Sequence, residues 1–191
     1  MATEYPALDQ KLKTFIARQH IFFTATAAAG AHINISPRPT DCLRVIGDNS
    51  AIYLDKTGSG METAAHTLHD GRITFMFCAF DKPPMILRLY GQGRAITRGT
   101  DEYATLLAEH FGGEELIGAR QIIRNDFDLV KTSCGYGVPF FDYIGERDTL
   151  DRWAESKGAD GILEYRAQKN VLSMDGLTTG YVPEAASEPA E

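Results

Sequence analysis

Hydrophobic positions in this chain follow two rhythms, a helical one and a strict alternation, and the switches between them mark short strands and a few helices. In PALDQKLKTFIARQ, residues 6 to 19, Leu8, Leu12, Phe15 and Ile16 share one helical face, with Pro6 near the first turn, where a missing N–H costs little. The spacing predicts an amphipathic opening helix. HIFFTATAA, the small-residue turn AAGAH and INIS read as a β-hairpin, and CLRVI, the turn GDNS and AIYLD repeat the pattern. METAAHTLHD predicts a helix that stops at Gly71.

RITFMFCAF is strongly strand-like, DKPP turns the chain, and MILRLYGQGRAI returns as a long strand that Gly91 and Gly93 are placed to bend or bulge. DEYATLLAEHF predicts a helix over 101–111 with Asp101 near its start, and ARQIIRNDFDLVKTS one more strand of mixed alternation. Barrel-type strands number about six. After them come an aromatic, glycine-containing excursion, SCGYGVPFFDYIGE, and two short helical segments, RDTLDRWAESKG and ADGILEYRAQKN. One domain over 1–181 is expected, with a helical extension from about 133 to 181 and an acidic, disordered tail over 182–191. Strands do not alternate with helices in the βαβ manner, so the expected class is mostly β with attached α-helices, a small antiparallel barrel.

A length of 191 residues with 43% hydrophobic content suits one sizeable core. The net charge of -7, with no basic run to offset it, argues against nucleic acid and anionic membrane as partners, so any phosphate must be bound locally. No apolar run is long enough to span a bilayer and no signal peptide opens the sequence, so a cytoplasmic location is expected. Cys42, Cys78 and Cys134 lack metal or disulfide spacing and read as buried or half-buried thiols.

Hydrolase and zinc signatures are absent. His66 and His69, three apart and followed by Asp70, read better as a solvated helix face than as metal ligands, since no third ligand has suitable spacing. The stretch LDKTGSGMETAAH, residues 54 to 66, has the glycines and hydroxyls of an anion-binding loop running into a helix, although Glu62 stands in the first turn and the P-loop lysine is missing. Arg44 and Arg88 each sit in an otherwise apolar strand, where a guanidinium must reach solvent or meet an anion, and Arg38 ends ISPRP just before the first of these strands. Surface ion pairs are the plainer reading of any one of them.

The order TATAAAGAHINISPRP, CLRVIGDNSAIYLDKT, a helix ending HDGRITFMF and then LRLYGQGRAI resembles the FMN-binding split barrel of pyridoxamine 5'-phosphate oxidase-like proteins, over about residues 8 to 98. The resemblance implies a six-stranded antiparallel split β-barrel that forms a homodimer, with FMN in clefts at the subunit interface and its phosphate held by basic and hydroxyl side chains. Arg38 and Arg44 correspond to basic residues at the two ends of one family strand, and Tyr53 to Asp55 to the aromatic-hydroxyl end of the next. The family commonly carries Ser-x-Lys at the following helix start. Thr63 stands here in place of that lysine, leaving Ser59, the amides around Gly60 and Thr63 as substitutes. A ring-contacting glutamine of the family falls at Met85 or Ile86, which argues against pyridoxamine phosphate as substrate.

The expected function is therefore an FMN-dependent oxidoreductase acting on an unspecified small molecule, with the flavin doing the electron chemistry. A non-catalytic flavin-binding or storage barrel is the alternative, motivated by Glu62 and the absent lysine. The deazaflavin F420 and haem are alternative ligands implied by the same resemblance, haem being disfavoured because the last histidine is His110. SCGYGVPFF has no counterpart in the family pattern, and either caps a cleft or packs with the terminal helices.

Overall fold

A computed structural model describes residues 2–183. Its strands are β1 (Thr3–Tyr5), β2 (Ile21–Thr26), β3 (Asn34–Pro39), β4 (Leu43–Val45), β5 (Ser50–Lys56), β6 (Arg72–Cys78), β7 (Ile86–Thr97) and β8 (Ala119–Ser133). The helices are α1 (Gln10–Ala17), α2 (Glu62–His69), α3 (Asp101–His110) and α4 (Thr149–Lys169). The strands form one antiparallel sheet in the order β3-β2-β6-β7-β8-β5-β4, with β1 added beside β8. This is the predicted split barrel, with eight strands among the described residues where six were expected. β1 escapes the sequence pattern because three residues, TEY, are too few to show alternation.

Alternation decides which side chains fill the barrel. Phe22, Tyr53, Phe75, Phe77, Leu87 and Leu89 point inward and are fully buried, with Phe22 edge-on to Phe75 at a centroid distance of 5.4 Å. α1 adds Leu12, Phe15 and Ile16, the predicted face, and Asp9 caps it by accepting from the Leu12 N–H at 2.8 Å. The outer face of β5, β7 and β8 is covered by α3, whose Tyr103, Leu106 and Leu107 pack on Ile52, Leu54, Ile96 and Ile122. β3 is an edge strand, which is why it accommodates Pro37 and Pro39. Among the described residues no helix is long and apolar enough to cross a membrane.

The excursion after β8 packs along its own chain: Tyr143 stacks on His20 at 3.6 Å and Phe141 meets Phe80 at 5.5 Å. Phe140, Phe141 and Ile144 nonetheless stay largely exposed. α4 is broken at Gly158 (φ 67°), which produces the two helical segments the sequence predicts. Residues 184–191, most of the expected tail, lie outside the described residues.

The predicted bulge in the long strand occurs between Tyr90 and Gly91, where the register against β8 shifts. A Cβ at Gly91 would lie 2.5 Å from the Phe127 Cα and collide with the Asp126 carbonyl, both rigid backbone. Gly91→Ala is accordingly expected to destabilise the fold by about 3 kcal/mol, read as a lower urea midpoint with an unchanged slope.

Candidate functional site

Near the end of β5 stands Asp55, which is 1% exposed, and the register against β8 shifts between Asp55 and Lys56. Arg120 donates to Asp55 Oδ2 through Nε at 3.0 Å and Nη2 at 2.7 Å, and Gln121 Nε2 donates to the same oxygen at 2.8 Å. From the opposite end of the sheet, Arg38 of β3 brings Nη1 to 2.8 Å from Oδ1. Its guanidinium also lies over the Tyr53 ring, 5.1 Å from the centroid. Burial alone would raise the Asp55 carboxyl, but Arg120 and Arg38 hold it below its ordinary 3.8. Two guanidiniums thus converge on one carboxylate. The Arg38 Nε is buried without a hydrogen-bond partner, and its side chain keeps 22% exposure. A half-buried cation in excess of its counter-ion is a standing demand for an anion.

The loop from Thr57 to Met61 follows directly. Thr57 donates to the Gly118 carbonyl through N at 2.7 Å and Oγ1 at 3.0 Å. Gly58 O accepts from Arg120 Nη1 at 3.3 Å and from Asn170 Nδ2 at 3.0 Å. Arg166 of α4, almost fully buried, donates to Thr57 Oγ1 at 2.8 Å and to the Ala119 carbonyl at 2.6 Å. The loop is therefore clamped from behind by β8 and the C-terminal helix, while Ser59 and Gly60 stay exposed.

Where α1 and α3 carry side-chain caps on their first amides, α2 begins at Met61 with none, so its N–H groups are available to a ligand. Thr63, in this first turn, accepts from Asn34 Nδ2 at 3.2 Å. Asn34, Ser36 and Arg38 form the inward row of β3, which ties to α2 at Thr63 and to β5 at Asp55. Glu62 is held by the C-terminal turn, its Oε1 accepting from Met174 N at 3.3 Å, and its other oxygen lies where a Cβ on Gly60 would sit. The absence of a side chain at Gly60 gives that carboxylate room to lie back.

Arg38, Asp55, Ser59, Gly60 and Thr63 are thus brought to one region. Tyr53 serves it from below, as the buried platform under Arg38; burial pushes its hydroxyl up to about 12 and leaves it without a partner. Arg44 is not part of the network: its guanidinium donates to the carbonyls of His110, Asp41 and Leu43 at 2.8, 2.6 and 2.8 Å and covers the Phe111 ring. Arg88 also stands apart, on the outward face of β7, with Nη1 donating to Ser133 Oγ at 3.1 Å.

The solvated-face reading of the histidines fails for His66, which is fully buried against Thr26, and holds for His69, which is exposed and meets Thr178. They do not converge, and among the described residues no His, Cys, Asp and Glu grouping can hold a metal. Of the thiols, Cys78 is buried, Cys42 half-buried and Cys134 exposed; burial pushes Cys42 up to about 12.

Sequence reasoning missed Arg120, Gln121, Asn34, Arg166 and Asn170. The signal for Arg120 was available by the rule applied to Arg44: a guanidinium opening the apolar strand ARQII.

A family model described as pyridoxamine 5'-phosphate oxidase matches residues 8–134. Over 189 residues the chain is 37% identical to the pyridoxamine 5'-phosphate oxidase family protein ustO of Aspergillus flavus, covering 91% of this chain and 76% of that protein. The chain superposes on a crystal structure of HupZ from Group A Streptococcus with a TM-score of 0.53 at 20% identity, over 65% of this chain and 98% of that one. A candidate pyridoxamine 5'-phosphate oxidase from Lactobacillus delbrueckii gives 0.51 at 13% identity, over 66% and 94%. The two structures carry the fold alone.

Because Asp55 is the carboxylate both arginines face, Asp55→Asn is expected to cost about 3–5 kcal/mol at neutral pH. Its folded-state value is depressed, so its stabilisation is complete above the ordinary 3.8 and is lost as pH falls below it. Denaturant titrations should show the gap between wild type and variant narrowing as pH falls from about 5 to 3.

Proposed function

The chain belongs to the pyridoxamine 5'-phosphate oxidase family, and on that premise we propose that it is an FMN-dependent oxidoreductase whose phosphate site is the region between Arg38 and the loop Ser59–Thr63. The observation that carries this reading is the charge at Asp55, one carboxylate facing two buried or half-buried guanidiniums in a chain whose net charge is -7. Such an excess is accommodated by an anionic ligand with phosphate-like acceptors.

Arg38 supplies charge and the partnerless Nε. The uncapped amides of α2 and the hydroxyls of Ser59 and Thr63 supply neutral donors where the family's lysine would stand. Glu62 is kept from the ligand by its bond to the Met174 amide. Bound here, FMN would supply the electron chemistry, and the chain's part is to hold the phosphate, orient the cofactor and exclude water. F420 presents a phosphate on a similar side chain and is the alternative occupant of the same site.

A second copy of the chain completes the cleft in this reading. Ile33 and Ile35, at and beside the β3 edge, are 74% and 65% exposed, and the outward shelf beside them, with Ala25, Thr74 and Tyr90, encloses about 350 Å³. Large aliphatic side chains exposed together on a strand edge favour coverage.

Purified protein titrated with FMN is expected to show saturable binding and a perturbed visible flavin spectrum; no binding overturns the proposal, and F420 binding in its place reassigns the cofactor. Arg38→Ala should weaken FMN by about 2 kcal/mol, whereas Arg44→Ala, which removes bonds to carbonyls, should lower the melting temperature and spare affinity. Anaerobic mixing with NADH or NADPH distinguishes the oxidoreductase, which is reduced, from a storage barrel, which is not. Sedimentation should give a dimer that Ile35→Lys shifts toward monomer.

A further inference from the structure

His66 is fully buried on α2 and makes one polar contact, Nδ1 to Thr26 Oγ1 at 3.0 Å, while Nε2 is buried with no partner. A buried imidazole that leaves one nitrogen unsatisfied needs a reason. It ends a chain of hydrogen bonds that runs to the loop. Ser36 Oγ donates to Asn34 Oδ1 at 3.2 Å, and Asn34 Nδ2 donates both to Thr26 Oγ1 and to Thr63 Oγ1, each at 3.2 Å.

The direction of this chain is fixed by counting hydrogens. Asn34 spends both amide hydrogens on the two threonine oxygens. Thr26, already accepting from Asn34, must send its own hydrogen elsewhere, and the His66 Nδ1 lone pair is the acceptor in reach. His66 then accepts at Nδ1, which leaves its ring hydrogen on Nε2. At the other end, Thr63 Oγ1 is engaged as an acceptor, and its hydroxyl hydrogen has no acceptor among the described residues. If His66 carried its hydrogen on Nδ1, Thr26 would donate to Asn34, the amide would turn over, and Thr63 would have to spend its hydrogen on Asn34 Oδ1.

We propose that His66 is a positioning residue for the phosphate: by accepting the Thr26 hydrogen it sets the direction of the bonds through Asn34, so that Thr63 presents a hydrogen rather than a lone pair to the anion. This rests on the phosphate-site reading above. It explains how a threonine can stand where the family has a lysine. A hydroxyl whose hydrogen is spent on Asn34 can offer an anion only lone pairs, whereas one that accepts from Asn34 keeps its hydrogen to donate. The nearby charged groups are Glu62 at the start of the helix, Asp70 at its end and Asp175 of the C-terminal turn; none of their carboxylates bonds the His66 ring.

The test compares two substitutions that separate packing from polarity. His66→Phe keeps a ring of similar volume but offers no acceptor; His66→Asn loses volume but puts an amide oxygen near the place of Nδ1. FMN and riboflavin affinities are measured by flavin fluorescence, with thermal melts alongside. His66→Phe should lose about tenfold in FMN affinity with riboflavin unchanged, and His66→Asn should keep the wild-type preference for FMN despite a lower melting temperature. In a Thr63→Val background His66→Phe should have no further effect on FMN. Thr26→Val, which breaks the chain one step nearer the loop, should reproduce the His66→Phe loss and serves if that variant does not fold.

An unchanged FMN-to-riboflavin ratio in the His66→Phe or Thr26→Val protein, or equal losses for Phe and Asn, overturns the inference while leaving the FMN reading intact. Failure of the wild type to bind FMN overturns both.

Discussion

Two guanidiniums facing one buried carboxylate set the terms for the rest of this molecule. Asp55 lies near the end of β5, Arg120 near the start of the neighbouring β8, and Arg38 arrives from the edge strand at the opposite end of the sheet order. Removing any of the three would leave charge stranded in low dielectric or change the local excess of positive charge. The arrangement also dictates local geometry. The β5 register shift falls at this carboxylate, and the loop that follows is drawn down onto Arg120 through the Gly58 carbonyl.

A lysine at a helix start binds phosphate as a point charge and needs little support, because its charge does not depend on orientation. Donors built from a hydroxyl, backbone amides and a distant arginine depend on orientation throughout. The loop has few side chains of its own and is densely bonded from outside. Arg166, Asn170 and the Met174 amide reach it from the C-terminal segment, and Asn34 reaches it from β3. The barrel supplies position and the extension supplies rigidity.

The barrel was legible in the sequence because most of its strands have one buried face, and alternation reports burial directly. Helix ends at Asp101 and Gly71 and the bulge at Gly91 were legible for the same reason, local backbone chemistry. The candidate site was legible by composition at the loop Ser59 to Thr63, and at Arg38, Tyr53 and Asp55 only through the family resemblance. Arg44 and Arg88 looked like Arg38 because a strand pattern shows which face a guanidinium occupies and not what lies opposite. For Arg44 the opposite surface is the end of α3, where the His110 carbonyl and the Phe111 ring meet it, and the carbonyls of Asp41 and Leu43 accept from its other side. Arg120 carries the same strand mark as Arg44 but not its partner, and His66 carries no mark at all, since their meaning comes from Asp55 and Thr26, 65 and 40 residues away in sequence.

The C-terminal turn has a consequence for how the protein is made. Its Asp175 receives both the backbone N–H and Nδ1 of His32, at 2.9 and 2.6 Å, so the tip of the first hairpin is closed by a residue synthesised 143 positions later. During translation the sheet can pair strand by strand, yet the loop stays without its rear clamp until α4 and this turn have left the ribosome. A chain that stopped before them would have the barrel without the contacts that hold this loop from behind.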